Sequence, residues 1–178
     1  MIKTLIHWFF RFLDALLVIM LAGMVLMVFV NVVMRYGFNS GIAVSEEMAR
    51  YFFVWLTFIG AVVVHRENLN MGVETIVAKF GRGGRLVLMA LSNLVILLCA
   101  SVFFLGTWKQ LPINASMVAP VTGLSMGWVY GIGLFCGAGI FLVTLERLFR
   151  LATGKITEDE IAAFAGEGAA IEHMKERL

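Results

Sequence analysis

The densest set of side chains able to do chemistry in this 178-residue chain is Ser45-Glu46-Glu47 together with Arg50. Glu46 and Arg50 are spaced i, i+4 and Glu47 and Arg50 i, i+3, so on a helix all three share one face. Two carboxylates and a guanidinium at that spacing form ion pairs, either as the solvated end of a helix or as an anchor for a partner. Arg35, which closes a long apolar run, fits either arrangement. Asp14 lies at the other end of that run and Asn31 inside it. The carboxyl of Asp14 reads as a polar anchor at a boundary or as a proton-coupling group. The amide of Asn31 reads as a hydrogen-bond partner for a neighbouring helix or for a substrate.

The remaining reactive residue types are thinly spread. His7, His65 and His173 sit at the edges of apolar blocks or in the C-terminal tail, whereas haem held between helices needs histidines within facing apolar segments. No H-E-x-x-H, phosphate-binding glycine loop or C-x-x-C occurs, so enzymatic and cofactor chemistry have no visible site. Cys99 and Cys136 both fall within apolar blocks, where they read as buried thiols packing as small hydrophobes or as an interhelical disulfide.

The elements that carry these residues are four apolar blocks. The chain is 61% hydrophobic and 15% charged, with a mean hydropathy of +0.92. Soluble domains hold roughly 45–50% apolar and about 25% charged residues. The net charge of +2 is too small for a nucleic-acid surface, and the basic residues gather at block edges. Residues 15–34, 51–64, 86–108 and 124–145 carry no charge, and about 20 apolar residues cross a bilayer as a helix. The second block is short, so its helix has to start earlier. Ser45 reads as its N-cap, with Glu46 and Glu47 at the positive end of the dipole. Pro112, Asn114, Pro120 and Gly123 read as a loop ahead of the last block. The expected spans are about 13–34, 46–65, 86–108 and 124–146. Lys3 and Arg11 precede a first apolar run too long for a secretory signal, so it reads as a retained span.

Basic residues set the expected direction. Lys3, Arg11, Arg66, Lys79, Arg82, Arg85, Arg147, Arg150, Lys155, Lys175 and Arg177 fall on one side, eleven residues against Arg35, Arg50 and Lys109 on the other. The positive-inside rule places both termini in the cytoplasm. Trp8 reads as an aromatic anchor at the inner boundary and Tyr36, Tyr51, Trp108 and Trp128 as anchors at the outer one. Val73, Ile76, Val77 and Phe80 repeat at i, i+3, i+4, i+7, which predicts a short amphipathic helix over about 70–80 on the cytoplasmic surface. The expected plan is an all-α membrane protein. Its four-helix membrane domain spans 1–150, and its cytoplasmic C-terminal tail 151–178. No internal repeat is evident.

The last span holds Gly123, Gly127 and Gly131 at four-residue spacing, and Gly133 and Gly137 besides. Small residues at that spacing let helix backbones approach closely in lipid, within the chain or against another subunit.

In Arg35-Tyr36-Gly37-Phe38-Asn39, in Ser45-Glu46-Glu47-Met48-Ala49-Arg50-Tyr51 and in Val54-Trp55-Leu56-Thr57-Phe58-Ile59-Gly60-Ala61, the chain resembles the small membrane subunit of tripartite ATP-independent periplasmic (TRAP) transporters. Gly123-Leu124-Ser125-Met126-Gly127-Trp128-Val129-Tyr130 is similar to that family's approach to its last span, and the likeness covers roughly residues 10–150. The sequence departs from the family at Asn70, where a histidine is common, so no role of that histidine carries over. The resemblance implies a non-catalytic scaffold in a bacterial inner membrane. Its partners would be a large polytopic membrane subunit, a periplasmic substrate-binding protein and membrane lipids, with no cofactor and no nucleic acid. Transport would be sodium-driven uptake of an organic acid such as a C4-dicarboxylate or a sialic acid. Arg35, Glu46, Glu47, Arg50, Trp55, Gly127 and Gly131 are the candidate partner-interface residues. Two other readings remain open: a self-sufficient four-helix transporter using Asp14, and a membrane anchor for a redox enzyme.

Overall fold

In the computed structural model the chain forms four α-helices, α1 (Ile2–Gly37), α2 (Ala43–Arg66), α3 (Arg82–Ser116) and α4 (Met126–Ala152). The structure describes residues 2–66 and 80–153 with Val77, Ile156 and Phe164, and side chains from His7 onward. Most of the amphipathic helix expected over 70–80, and most of the tail over 151–178, lie outside these residues. All four helices are long and apolar enough to cross a membrane.

Helix α1 is rich in Leu, Val, Met and Phe and contains no proline, so nothing interrupts its hydrogen-bond ladder. It stops where Phe38 N and Ser40 N both donate to Met34 O, each at 3.1 Å. Asn39 takes the left-handed conformation (φ 55°) that closes this turn, and asparagine tolerates that conformation better than most residues.

The four helices are shared between two compact units, one of Met1–Val63 with Phe103–Gly137 and the other of Val64–Val102 with Ala138–Leu178. The first unit is centred on Leu13 and Met20 of α1 and Ile59 and Val63 of α2. Leu16, Leu17, Phe52, Trp55, Ile132 and Phe135 pack around them. Their spacing on α1 is that of one helical face. In lipid such packing is driven by dispersion and fit rather than by escape from water. In the same unit α3 and α4 run antiparallel, with Gly127 beside Ala115, Gly133 beside Thr107 and Gly137 beside Phe104. A Cβ at Gly127 would lie 3.0 Å from the Ala115 backbone, and one at Gly137 would lie 3.1 Å from the Phe104 Cβ. Gly127, Gly133 and Gly137 are therefore used in close contact within the chain.

The second unit joins the end of α2 to α4. The His65 ring nitrogen Nε2 and the Thr144 hydroxyl are 2.8 Å apart, and Thr144 is fully buried. Arg147 donates through Nη2 to the carbonyls of His65 (2.8 Å) and Arg66 (2.7 Å). The last carbonyls of a helix have no partner of their own, and here a guanidinium from another helix satisfies two of them.

Three expectations need correction. Ser45 is not an N-cap: α2 starts at Ala43, and the Ser45 hydroxyl donates to Met27 O on α1 at 2.8 Å. The hydroxyl has a carbonyl of the neighbouring helix within reach, which local sequence does not reveal. Pro112 and Asn114 are not in a loop, because α3 continues through both to Ser116. Proline removes one donor from the ladder, but tertiary contacts hold the last turn. Ala115 lies against Gly127, and the Ser125 hydroxyl donates to Ala115 O at 3.0 Å. Cys99 is exposed and not a buried thiol, whereas Cys136 is buried as expected, and both are free rather than joined in a disulfide.

Candidate functional site

Two polar clusters occupy the ends of α1 and α2 and the hairpin that joins α3 to α4. All of their residues belong to the first compact unit.

The first cluster ties α1 to α2. Asn31 is buried, donates through Nδ2 to Glu46 Oε1 at 3.0 Å and accepts from Ile42 N through Oδ1 at 2.7 Å. Both ends of the amide are thereby used, the oxygen on the turn and the nitrogen on the α2 carboxylate. Arg35 reaches the same Glu46 oxygen at 3.4 Å, with side chains 66% and 54% exposed. An exposed pair of this kind contributes ~0–1 kcal/mol, so its value lies in orientation. A groove of about 260 Å³ opens beside it, lined by Val28, Asn31, Val32, Arg35, Tyr36 and Glu46 among others.

The second cluster is built on Glu47, which is only 5% exposed. Its Oε2 accepts from Val121 N and Thr122 N, both at 3.0 Å. Its Oε1 accepts from the Thr122 hydroxyl at 3.3 Å and from the Tyr51 hydroxyl. The α3–α4 hairpin closes through Ala119 N to Leu124 O (2.8 Å) and Met126 N to Met117 O (2.9 Å). Gly123, at φ +69°, supplies the left-handed turn residue. The turn leaves two amides directed at α2, and the Glu47 carboxylate meets them. Where little water is at hand, backbone groups left unpaired are expensive, so this one side chain fixes the hairpin to the helix.

Placed this way, the sequence candidates separate. Glu46 faces α1 and Glu47 faces the hairpin, although both were expected on one face with Arg50. Arg50 is exposed and forms no ion pair or hydrogen bond among the described residues. Trp55 packs on the α1–α2 core and Gly127 against Ala115, while a Cβ on Gly131 would lie 3.7 Å from the Leu111 side chain. Arg35, Glu46 and Arg50 are thus the candidates that face outward. Tyr51 is not an exposed aromatic anchor: it is 6% exposed and bound to Glu47, while Trp8, Tyr36, Trp108 and Trp128 are exposed. Asp14 is exposed on α1. Among the described residues no group of three His, Cys, Asp or Glu side chains is placed to hold a metal ion.

Sequence reasoning missed the Glu47–hairpin clamp and the His65–Thr144 contact. The only local trace of the first is the i, i+4 spacing of Glu47 and Tyr51, since the hairpin amides lie more than 70 residues away. The second had no local trace.

The family model described as "Tripartite ATP-independent periplasmic transporters, DctQ component" matches residues 24–154, which hold both clusters and most of the four helices. The chain belongs to this family. A protein described as a TRAP transporter small permease of Haemophilus influenzae is 36% identical over 148 residues, 83% of this chain and 92% of its own length. A second such protein of that organism is 26% identical over 78% of this chain and 84% of its own length. The C4-dicarboxylate TRAP transporter small permease protein of Vibrio cholerae is 31% identical over a shorter stretch, 39% of this chain and 33% of its own length. With four apolar helices, family membership makes the chain a multi-pass membrane protein and a small permease subunit of a transporter.

Proposed function

We propose that the chain is a non-catalytic brace for a larger polytopic membrane subunit. That subunit would take up organic acids, such as a C4-dicarboxylate, a sialic acid or a related carboxylate, driven by a sodium gradient and supplied by a periplasmic binding protein. The observation that carries this reading is how the polar side chains of the first unit are spent. Asn31, Glu46 and Glu47 bond within the chain and hold its own helices and hairpin. Ionisable groups buried in a membrane normally mark an ion or substrate path; here the buried carboxylate serves the fold. The test is uptake in cells or proteoliposomes with the larger subunit and the binding protein present. Omitting this chain is expected to abolish uptake, and full-rate uptake without it overturns the reading.

The same proposal places both termini in the cytoplasm, with an interfacial helix over 70–80 and a tail over 151–178 on that side. Its support is the basic-residue bias of eleven to three. Single cysteines introduced at Asn39 and at Thr153 into a chain lacking Cys99 and Cys136 are expected to react differently in intact cells. A membrane-impermeant maleimide should label the first and spare the second, and the opposite pattern refutes the orientation.

A further inference from the structure

The exposed positions of α2 in the first unit include Glu46, Arg50, Phe53, Thr57 and Ala61, spaced four, three, four and four residues apart. That spacing is one continuous helical face. It differs from the exposed middle of α1, where Val18, Ile19, Val25, Leu26 and Phe29 are large and apolar, Ala22 stands among them, and no charge occurs.

The depth of Arg50 gives this face its meaning. Ser45 bonds to Met27 O, and a Cβ on Gly23 would touch the Phe52 ring at 3.4 Å. Arg50 lies between Ser45 and Phe52, so its backbone is level with residues 23–27 of α1. Those residues are the middle of the charge-free run 15–34. On α2 itself Arg50 stands one turn inside the expected span 46–65, about 6 Å from its outer end at 1.5 Å per residue, and directly ahead of the charge-free block 51–64. An ionised guanidinium rooted there is costly against lipid, and such groups pair with a counter-charge. Neither neighbouring carboxylate supplies one: Glu46 is held by Asn31 and Arg35, and Glu47 by the hairpin. Arg50 instead lines an open groove of about 180 Å³ whose walls include Val54, Pro120, Val129 and Tyr130.

We infer that this face of α2 seats a transmembrane helix of the larger subunit, with a carboxylate of that helix on Arg50. The inference rests on the brace reading and names the surface and the chemistry through which the brace acts. A photo-crosslinking phenylalanine analogue placed at Phe53 or Thr57 tests it. The same analogue at Val18 or Leu26 is the comparison, in the complex purified from membranes with the larger subunit. Products identified by mass spectrometry as the larger subunit are expected from Phe53 and Thr57 and not from Val18 or Leu26. Arg50→Glu is expected to reduce the co-purified larger subunit about tenfold or more, and Arg50→Lys to retain most of it. If the larger subunit never co-purifies with the unaltered chain, the brace reading itself fails. If it co-purifies but cross-links from α1 and not from α2, the brace stands and this surface is wrong. Products that are only dimers of this chain, or equal recovery with Arg50→Glu, also overturn it.

Discussion

Glu47→Ala is expected to release the α3–α4 hairpin from α2 and to lower the melting temperature of the purified chain more than any other single polar substitution. The carboxylate accepts from two backbone amides and two hydroxyls, and alanine leaves all four donors without that partner. Losing one side of a hydrogen bond is worse than never having built it, because the remaining donors stay desolvated. Glu47→Gln is expected to fall between, since the amide oxygen still accepts while its NH₂ group faces donors. Hydrogen exchange gives the sharpest readout: the Val121 and Thr122 amides should lose protection in Glu47→Ala. The Ile42 amide, held by Asn31, should keep its protection. Unchanged protection at Val121 and Thr122 would remove the clamp from the account.

The second large effect is expected at Gly127. A Cβ there lies 3.0 Å from Ala115 Cα and 3.1 Å from Ala115 Cβ, and a backbone atom cannot swing aside as a side-chain end can. Gly127→Leu must therefore push α3 and α4 apart just where the hairpin joins them. Overpacking of this kind costs about 1–3 kcal/mol. Gly106→Leu is the control, because a Cβ at Gly106 meets nothing within 4 Å. Thermal unfolding in detergent should show a clear drop for Gly127→Leu and little change for Gly106→Leu. Equal behaviour of the two would mean that the glycine is not required for helix contact.

Both effects fall on residues that the sequence marks but does not explain. The acidic pair after Ser45 is conspicuous, and its spacing to Arg50 suggests a single shared face. Successive helical residues point about 100° apart, so in the structure Glu46 turns to α1 and Glu47 to the hairpin. Arg50 is left exposed. The glycine spacing in α4 shows that something approaches closely, but not that Ala115, Thr107 and Phe104 of α3 are what approaches. Pro112 gives the opposite lesson. Its local chemistry reads as a break, yet the helix passes through it because the contacts around Ala115 support the next turn.

Composition and periodicity by themselves determined four membrane-length helices, because the length and apolarity of a bilayer-spanning helix are properties of contiguous residues. Ordered short motifs also carried the family, since the likeness lies in local stretches of the chain. What only the tertiary structure decided is the use of each polar group. Asn31 bonds Glu46, Glu47 holds Val121 and Thr122, Thr144 meets His65, and Arg147 caps α2. Each of these bonds joins residues brought together by helix packing, and local sequence has no term for a partner on another helix. The same packing leaves Arg50 exposed and paired with neither Glu46 nor Glu47.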